Sequence, residues 1–335
     1  MKYTEAAGVR LSAVGLGTWQ FGSGEWGYGS TYASETAPAL VRRSLDLGVN
    51  LFDTAEAYAF GRSEEILGRA LGDRRAEAFV ATKLFPLAPV DPIVRSRARG
   101  SARRLGVDAI DLYQVHWRNP LVPVRSTMAA FRSLLDTGTV RHAGVSNFSR
   151  ADWEEAESAL GAPVLSNQVK FSLIDRGPER DILPWAQAHD RIVIAYSPLS
   201  QGLLSGRYDA DHLPSGLRST TSWFLPENVR RLAPVLDVLR QVADAHGATC
   251  AQVALAWLIR MPNVVVIPGA STLAQAEANA ASADLELTDE EDAALRAASD
   301  AYHPVRGRAA VPALARHRAE RIARRVRRTV EGMQR

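Results

Sequence analysis

Four side chains in the first 116 residues are of types that together can move a proton at an oxygen: Asp53, Tyr58, Lys83 and His116. Three of them close short apolar runs, Asn50-Leu51-Phe52-Asp53, Phe79-Val80-Ala81-Thr82-Lys83 and Leu112-Tyr113-Gln114-Val115-His116, and Tyr58 follows soon after Asp53. A phenol near pKa ~10 is a poor acid at neutral pH, and an ammonium beside it stabilises the phenolate and eases proton donation. Asp53 would keep Lys83 charged and oriented, and His116 would hydrogen-bond a carbonyl oxygen and fix its direction. Such a set suits protonating an oxygen while hydride arrives at the adjacent carbon. Each residue alone has a commoner use: a turn-capping Asp, a surface or Schiff-base Lys, a satisfied core His, a packing Tyr. Only their joint place on consecutive strand ends favours the chemical reading.

The elements that must present them are legible as an alternation. Short β-branched runs at Val14–Thr18, Asn50–Asp53, Phe79–Lys83, Ile110–His116, Val140–Ser146, Val164–Val169, Ile192–Tyr196 and Val264–Ile267 predict eight strands. Between and after them, apolar residues three and four apart predict helices over Glu35–Leu47, Ser63–Leu71, Pro92–Leu105, Val124–Thr137, Arg150–Leu160, Pro178–His189, Pro226–His246 and Ala248–Arg260. Glycines at 48, 72, 106, 138 and 161 stand where helices should end. Eight strand–helix units require a parallel sheet covered by helices. The turn after the first strand, Gly15-Leu16-Gly17-Thr18-Trp19-Gln20, lacks the last glycine of a dinucleotide fingerprint, so closure is favoured over an open sheet. The expectation is an α/β fold, a (β/α)8 TIM barrel over residues 1–300. The stretch Gly8–Ala13 would form a hairpin at its lower end, and a basic, helical extension would follow over 301–335. In a barrel of this kind the site lies where strands end.

Composition narrows the class. The 335 residues are 46% hydrophobic and 23% charged, as in globular proteins. One cysteine, Cys250 in an apolar run, excludes a disulfide framework and a cysteine-based zinc cluster. The start Met1-Lys2-Tyr3-Thr4-Glu5 has no apolar core of a leader, and no stretch is apolar enough to span a bilayer, so a cytoplasmic location is expected. The net charge of +3 conceals an asymmetry: residues 302–335 hold ten arginines against Glu320 and Glu331. The tail is therefore basic and the body acidic, so neither nucleic acid nor membrane is an expected partner. An apolar stripe of Ala315, Ala319, Ile322, Ala323, Val326, Val330 and Met333 leaves three readings of the tail: it packs on its own barrel or on a second copy, which would allow a homo-oligomer; it is a solvated, partly disordered end; or it touches anionic membrane or nucleic acid. Lysine occurs only at 2, 83 and 170 in this arginine-rich chain, which sets Lys83 apart.

The stretch Phe52-Asp53-Thr54-Ala55-Glu56-Ala57-Tyr58, running on through Gly61-Arg62-Ser63-Glu64 to Leu71, resembles the aldo-keto reductase signature joining that superfamily's catalytic Asp and Tyr. Ala81-Thr82-Lys83 and Asp111–Trp117 are similar to the segments carrying its Lys and His. Gly144-Val145-Ser146-Asn147-Phe148, Asn167-Gln168 and Ala195-Tyr196-Ser197-Pro198-Leu199 match further landmarks in order, over roughly residues 8–300. Gly17–Phe21 followed by Glu25-Trp26-Gly27 resembles the bacterial general-stress and inositol-linked branch.

The resemblance implies metal-free reduction of a small carbonyl compound with NADP, NAD being the alternative. Tyr58 is then the proton donor, Lys83 its activator, Asp53 the partner of Lys83, and His116 the group orienting the carbonyl. It implies that Ser146, Asn147 and Gln168 hold the nicotinamide carboxamide and that Tyr196 stacks on the ring, with Thr18 and Trp19 nearby. The backbone from Ser197, Pro198 and Leu199 through Gly202, Leu204 and Gly206 would wrap the pyrophosphate. Gly269, Ser271, Gln275 and Asn279 are similar to cofactor ligands in branches with a Gly-Ala-Ser form. The family's usual cation for the 2′-phosphate is missing there, and Arg207 could supply it. Trp26, Tyr28, Trp117 and Trp223, with Phe224, would wall the substrate pocket. Two rivals stand beside this reading. One is a nicotinamide-binding regulatory subunit with little turnover; the other is a barrel lyase forming a Schiff base at Lys83.

Overall fold

A computed structural model of the protein describes residues 1–24, 29, 31–214 and 219–318. The chain divides into two compact units, one of Met1–Leu199 with Gln252–Leu287 and one of Ser200–Ala251 with Thr288–Arg335.

The first unit opens with a hairpin, β1 (Tyr3–Ala6) antiparallel to β2 (Val9–Ser12). It begins earlier than the expected Gly8–Ala13, because Ala7 and Gly8, both with positive φ, make the turn and so pull Tyr3–Ala6 in as the other arm. Then come β3 (Leu16–Gly17), β4 (Leu51–Asp53), β5 (Phe79–Leu84), β6 (Ile110–Val115), β7 (Val140–Ser146), β8 (Val164–Lys170), β9 (Ile192–Tyr196) and β10 (Val264–Val266). These eight strands form one parallel sheet in sequence order. A parallel bridge from Val14 to Val266 closes it, with Gly15 N donating to Val266 O at 2.7 Å and Val266 N to Ala13 O at 2.9 Å. The expected barrel is the observed one. Apart from Arg141 in β7 no residue of the barrel strands is exposed, which is why their sequences are rich in apolar residues.

Helices α1 (Ala37–Asp46), α2 (Arg62–Leu71), α3 (Asp91–Leu105), α4 (Val124–Asp136), α5 (Arg150–Leu160) and α6 (Ile182–Ala188) follow successive strands. The five glycines expected to end helices or their turns all have positive φ, the conformation glycine adopts at least cost. α6 is shorter than the predicted Pro178–His189: a separate turn at Gly177–Glu179 precedes it, and the Asp181 carboxylate caps Ile182 N at 2.8 Å, starting the helix afresh.

Side chains inside the barrel are layered. Ala6, Val9 and Leu11 of the hairpin meet Leu51, Ala81, Leu112, Leu165, Ile192, Ile194 and Val265 in an apolar plug at the lower end. Polar inward residues lie above this plug, toward the ends of the strands. Beyond β10, α9 (Leu273–Ala281) follows a short loop; it is a helix that apolar periodicity did not single out.

The second unit holds α7 (Pro226–Ala245), with α8 (Cys250–Ile259) crossing the boundary between units in sequence, and α10 (Asp289–Asp300). Within it, His246 Nε2 lies 2.8 Å from Glu291. Asn228 donates to Ser222 O and Val305 O and accepts from Val305 N at 2.7 Å, stapling the chain beyond α10. The described part of the extension is coil over 301–306 and helical only from Gly307 to Arg318; the apolar stripe from Ala319 onward lies outside the described residues. No single helix among the described residues is long and apolar enough to cross a membrane.

Candidate active site

Strand ends bring the four sequence-predicted groups together. Lys83 Nζ, fully buried, donates to Asp53 Oδ1 at 2.6 Å, to Thr54 O at 2.8 Å and to the Tyr58 hydroxyl at 3.2 Å. The three hydrogens of the ammonium are thereby all engaged. The second Asp53 oxygen accepts from Gln168 Nε2 at 2.7 Å. His116 faces Tyr58 edge-on, with ring centroids 5.9 Å apart, and stacks on Trp117 at 3.8 Å.

Burial dominates the electrostatics and is answered by pairing. It pushes the Asp53 carboxyl up, against the pull of Lys83 and then of Gln168 and Gln114. Burial also opposes charge on Lys83, but Asp53 and Tyr58 outweigh it and hold the ammonium above its ordinary value. The Tyr58 phenol goes up: burial is the largest influence, Lys83 pulls it down and Asp53 pushes it back. This corrects the expectation of a phenol made more acidic. The pull of Lys83 exists, yet burial outweighs it, and the phenol keeps its proton beside a fixed cation. Burial, helped by Lys83, lowers His116 to about 3, so its ring is neutral. Its Nδ1 is buried and without a hydrogen-bond partner. A bare lone pair there is cheaper than a stranded N–H, which favours the tautomer with the hydrogen on Nε2.

A polar shelf adjoins these groups. Ser146 Oγ donates to Gln168 O at 2.9 Å. Asn147, at positive φ, donates to His116 O and Ser146 Oγ and accepts from the Tyr196 hydroxyl at 2.9 Å. A primary carboxamide offers donors and acceptors in one plane, and the amides and hydroxyls of Ser146, Asn147 and Gln168 are complementary to it, beside the half-buried ring of Tyr196. After β10, Gln275 Oε1 accepts from Ser271 N at 2.7 Å and Asn279 Nδ2 reaches Gly269 O at 3.4 Å, ordering the loop that leads into α9. This donor set fits a nicotinamide dinucleotide.

The remaining candidates fall out as follows. Thr18 is a wall residue: its buried hydroxyl donates to Asp53 O and meets Ser63 Oγ, both at 2.9 Å. Trp19 is 37% exposed and Trp117 43%. Ser197, Pro198 and Leu199 leave β9, Ser197 with φ 52°. Gly202, Leu204, Gly206 and Arg207 belong to the second unit, where Leu204 is buried and Gly202 and Gly206 have positive φ. Trp223, also there, lies under the Arg306 guanidinium at 4.4 Å, and Phe224 is fully buried against Tyr208. Phe224 is thus a core residue rather than a pocket wall. Trp26 and Tyr28 lie outside the described residues.

Sequence reasoning missed two contributors. Thr54 supplies its backbone carbonyl to Lys83, which no side-chain pattern announces. Gln114 lies inside the barrel two positions before His116, and the period of two in β6 was the signal that could have found it.

Residues 13–300 match the aldo/keto reductase family. The chain is 52% identical over 306 residues to the uncharacterized oxidoreductase Rv2298 of Mycobacterium tuberculosis, covering 91% of this chain and 95% of that one. It is 35% identical to the methylglyoxal reductase YeaE of Escherichia coli, covering 90% and 95%. Among solved structures, an aldo/keto reductase of Klebsiella pneumoniae in complex with NADP and acetate is 32% identical, covering 90% and 96%, with a TM-score of 0.71. With strand-end Asp, Lys and His converging on a tyrosine in a closed parallel barrel, and with this extent of match, the chain belongs to the aldo/keto reductase family.

Proposed function

We propose that this protein reduces small aldehydes and ketones to alcohols with a reduced nicotinamide dinucleotide, NADPH in preference to NADH, and that Tyr58 is the proton donor. The observation that carries the reading is the position of Lys83 Nζ, shared between Asp53 at 2.6 Å and the Tyr58 hydroxyl at 3.2 Å with no exposed surface of its own. When bound, the dinucleotide supplies hydride to the carbonyl carbon. Ser146, Asn147 and Gln168 hold its carboxamide and Tyr196 lies against its ring, while Ser271, Gln275 and Asn279 receive the adenosine end.

The substrate oxygen takes a hydrogen bond from neutral His116 Nε2 and the proton of Tyr58. As negative charge grows on the phenol oxygen, Lys83 is already in place to stabilise it, without reorganisation. Asp53 keeps Lys83 charged throughout. The same saturation of Lys83 speaks against the Schiff-base reading, which needs a neutral amine with a free lone pair. The NADP-bound neighbour supports the nucleotide choice, and the methylglyoxal reductase relative makes α-oxoaldehydes the first substrates to try. The signature at Gly17–Phe21 supports placing the chain in the general-stress and inositol-linked branch.

The test is to mix purified protein with NADPH or NADH and a panel spanning methylglyoxal, 4-nitrobenzaldehyde and simple ketones, following absorbance at the nicotinamide band. Carbonyl-dependent oxidation, faster with NADPH, is expected. Tight NADPH binding with no oxidation across the panel would instead identify a regulatory subunit.

A further inference from the structure

Glu56 is an acid tucked in beside the reacting groups, and the site as described has no use for it. Its side chain is 9% exposed. Its Oε1 accepts from Phe85 N at 2.6 Å and from Arg97 Nη2 at 2.7 Å, and its Oε2 from Arg97 Nε at 3.0 Å. Both oxygens act only as acceptors, the pattern of an ionised carboxylate, although burial pushes the carboxyl up. Hydrogen bonds to an ionised acceptor are among the stronger ones in proteins. Arg97, on α3, also donates to Leu87 O at 3.2 Å, so the same cation grips the chain that leaves β5. The ladder between β4 and β5 explains where the carboxylate sits. It runs on past Asp53: Thr54 N donates to Ala81 O at 2.9 Å, and Glu56 N reaches Lys83 O at 3.5 Å. The next donor along β5 is Phe85 N, and the Glu56 side chain meets it in place of a main-chain oxygen.

These contacts close a small ring around the chemistry. Glu56 stands two residues before Tyr58, and Phe85 two residues after Lys83. Tyr58 N turns back to Ala55 O at 3.0 Å, so the phenol and the carboxylate are carried on one turn. Beyond Tyr58 the backbone is unfavourable: Ala59 and Phe60, neither of them glycine, have φ of 47° and 55°. Such residues keep that conformation only where the surroundings over-determine it. A turn that leads into strain has to be fastened ahead of it, and Glu56 is placed to do so. Taking Tyr58 as the proton donor, as proposed above, we infer that Glu56 is a positioning residue: seated on Phe85 N and Arg97, its carboxylate holds the Tyr58 turn against the strand end that carries Lys83. With this clamp closed, the phenol oxygen stands 3.2 Å from the ammonium before any substrate arrives. The cation is then in place for the charge that develops as the proton leaves. With the clamp open the turn relaxes, and a misplacement of ~1 Å costs about a hundredfold in rate.

The test compares Glu56→Ala with Glu56→Gln, which keeps an oxygen for Phe85 N. Glu56→Met, which refills the space, takes the place of the alanine variant should that one fail to fold. Enzyme loaded with NADPH is mixed with 4-nitrobenzaldehyde in a single turnover, in H2O and in D2O, and NADPH affinity is measured by calorimetry. Glu56→Ala should react about 10–100-fold more slowly, with a solvent isotope effect above that of the wild type, because transfer from a displaced acid limits the rate. Its carbonyl KM and NADPH dissociation constant should stay within about twofold of the wild type. Glu56→Gln should recover most of the rate. A wild-type rate and isotope effect in Glu56→Ala overturns the inference. So does NADPH binding weakened as much as the rate, which marks general loosening, and so does a Glu56→Gln variant as slow as Glu56→Ala, which marks a need for charge rather than position. A wild-type protein whose bound NADPH no carbonyl oxidises, or a Tyr58→Phe variant that reacts like the wild type, overturns the functional reading itself, a result distinct from these.

Discussion

Lys83 Nζ lies 2.6 Å from Asp53 Oδ1 at a depth where the two side chains are 0% and 3% exposed. At such burial the pair is held together by what either partner would suffer alone. Lys83→Met leaves a carboxylate among apolar strands and should cost about 3–5 kcal/mol of unfolding free energy in urea titrations. Adding Asp53→Leu to Lys83→Met should restore much of that loss, though not activity. A double variant less stable than Lys83→Met alone would mean that the pair is not a closed electrostatic unit.

Tyr58 stands between this pair and solvent, and its removal separates chemistry from binding. Tyr58→Phe keeps the ring against His116 and deletes only the hydroxyl that Lys83 reaches. Turnover should fall by about 10²–10⁴-fold, the usual worth of a positioned acid. Calorimetric NADPH affinity should stay within about twofold of the wild type, since the carboxamide shelf does not depend on that oxygen. A Phe variant with near-normal turnover would remove Tyr58 as donor.

The barrel was legible because strands largely buried on both faces are written mostly in apolar, β-branched residues; Val140–Ser146 and Ile192–Tyr196 were read with their observed bounds. The tetrad was legible because each charged residue interrupts such a run at its end. α9 was not, since Leu273–Ala281 is mostly alanine and shows no clear apolar face, and its start depends on Thr272 capping Gln275 N. The direction of the Tyr58 shift was missed for a different reason. Adjacency to a cation can be guessed from spacing, but the competing loss of hydration depends on how completely the barrel closes over the phenol. The bonds of Thr54 O are backbone geometry, on which side-chain identity is silent.

Gly68 tests how tightly the helices are drawn around the strands. A Cβ there would lie 2.6 Å from Leu105 O and 2.8 Å from its carbonyl carbon, so α2 rests directly on the backbone at the end of α3. Gly68→Ala improves helix propensity by about 1 kcal/mol, yet it forces two main chains apart. The clash should win, with a net loss of about 1–3 kcal/mol as for other overpacked sites. Thermal denaturation decides it: a raised midpoint would mean that α2 shifts freely.

His116 gives the protein an acid liability whose sign can be worked out. Its ring is held neutral, with a pKa lowered from 6.5 to about 3 chiefly by burial. Between those values the unfolded chain binds a proton that the folded chain refuses, so unfolding free energy rises with pH across this window. The contribution is complete above pH 6.5 and is lost as pH falls toward 3, at about 1.4 kcal/mol per unit at most. His116→Gln has no proton to gain and should lose less stability than the wild type when both are titrated with urea at pH 7 and then at pH 4.5. The same shift shapes activity: a neutral imidazole imposes no decline near pH 6, so the wild-type rate should not fall with the midpoint of an ordinary histidine. On the alkaline side, a phenol pushed up by burial keeps its proton beyond its usual range, and the rate should hold until the solution is more basic than that. If wild type and His116→Gln lose equal stability on acidification, the ring is charged or solvated at neutral pH, and its part as a neutral donor to the carbonyl oxygen fails.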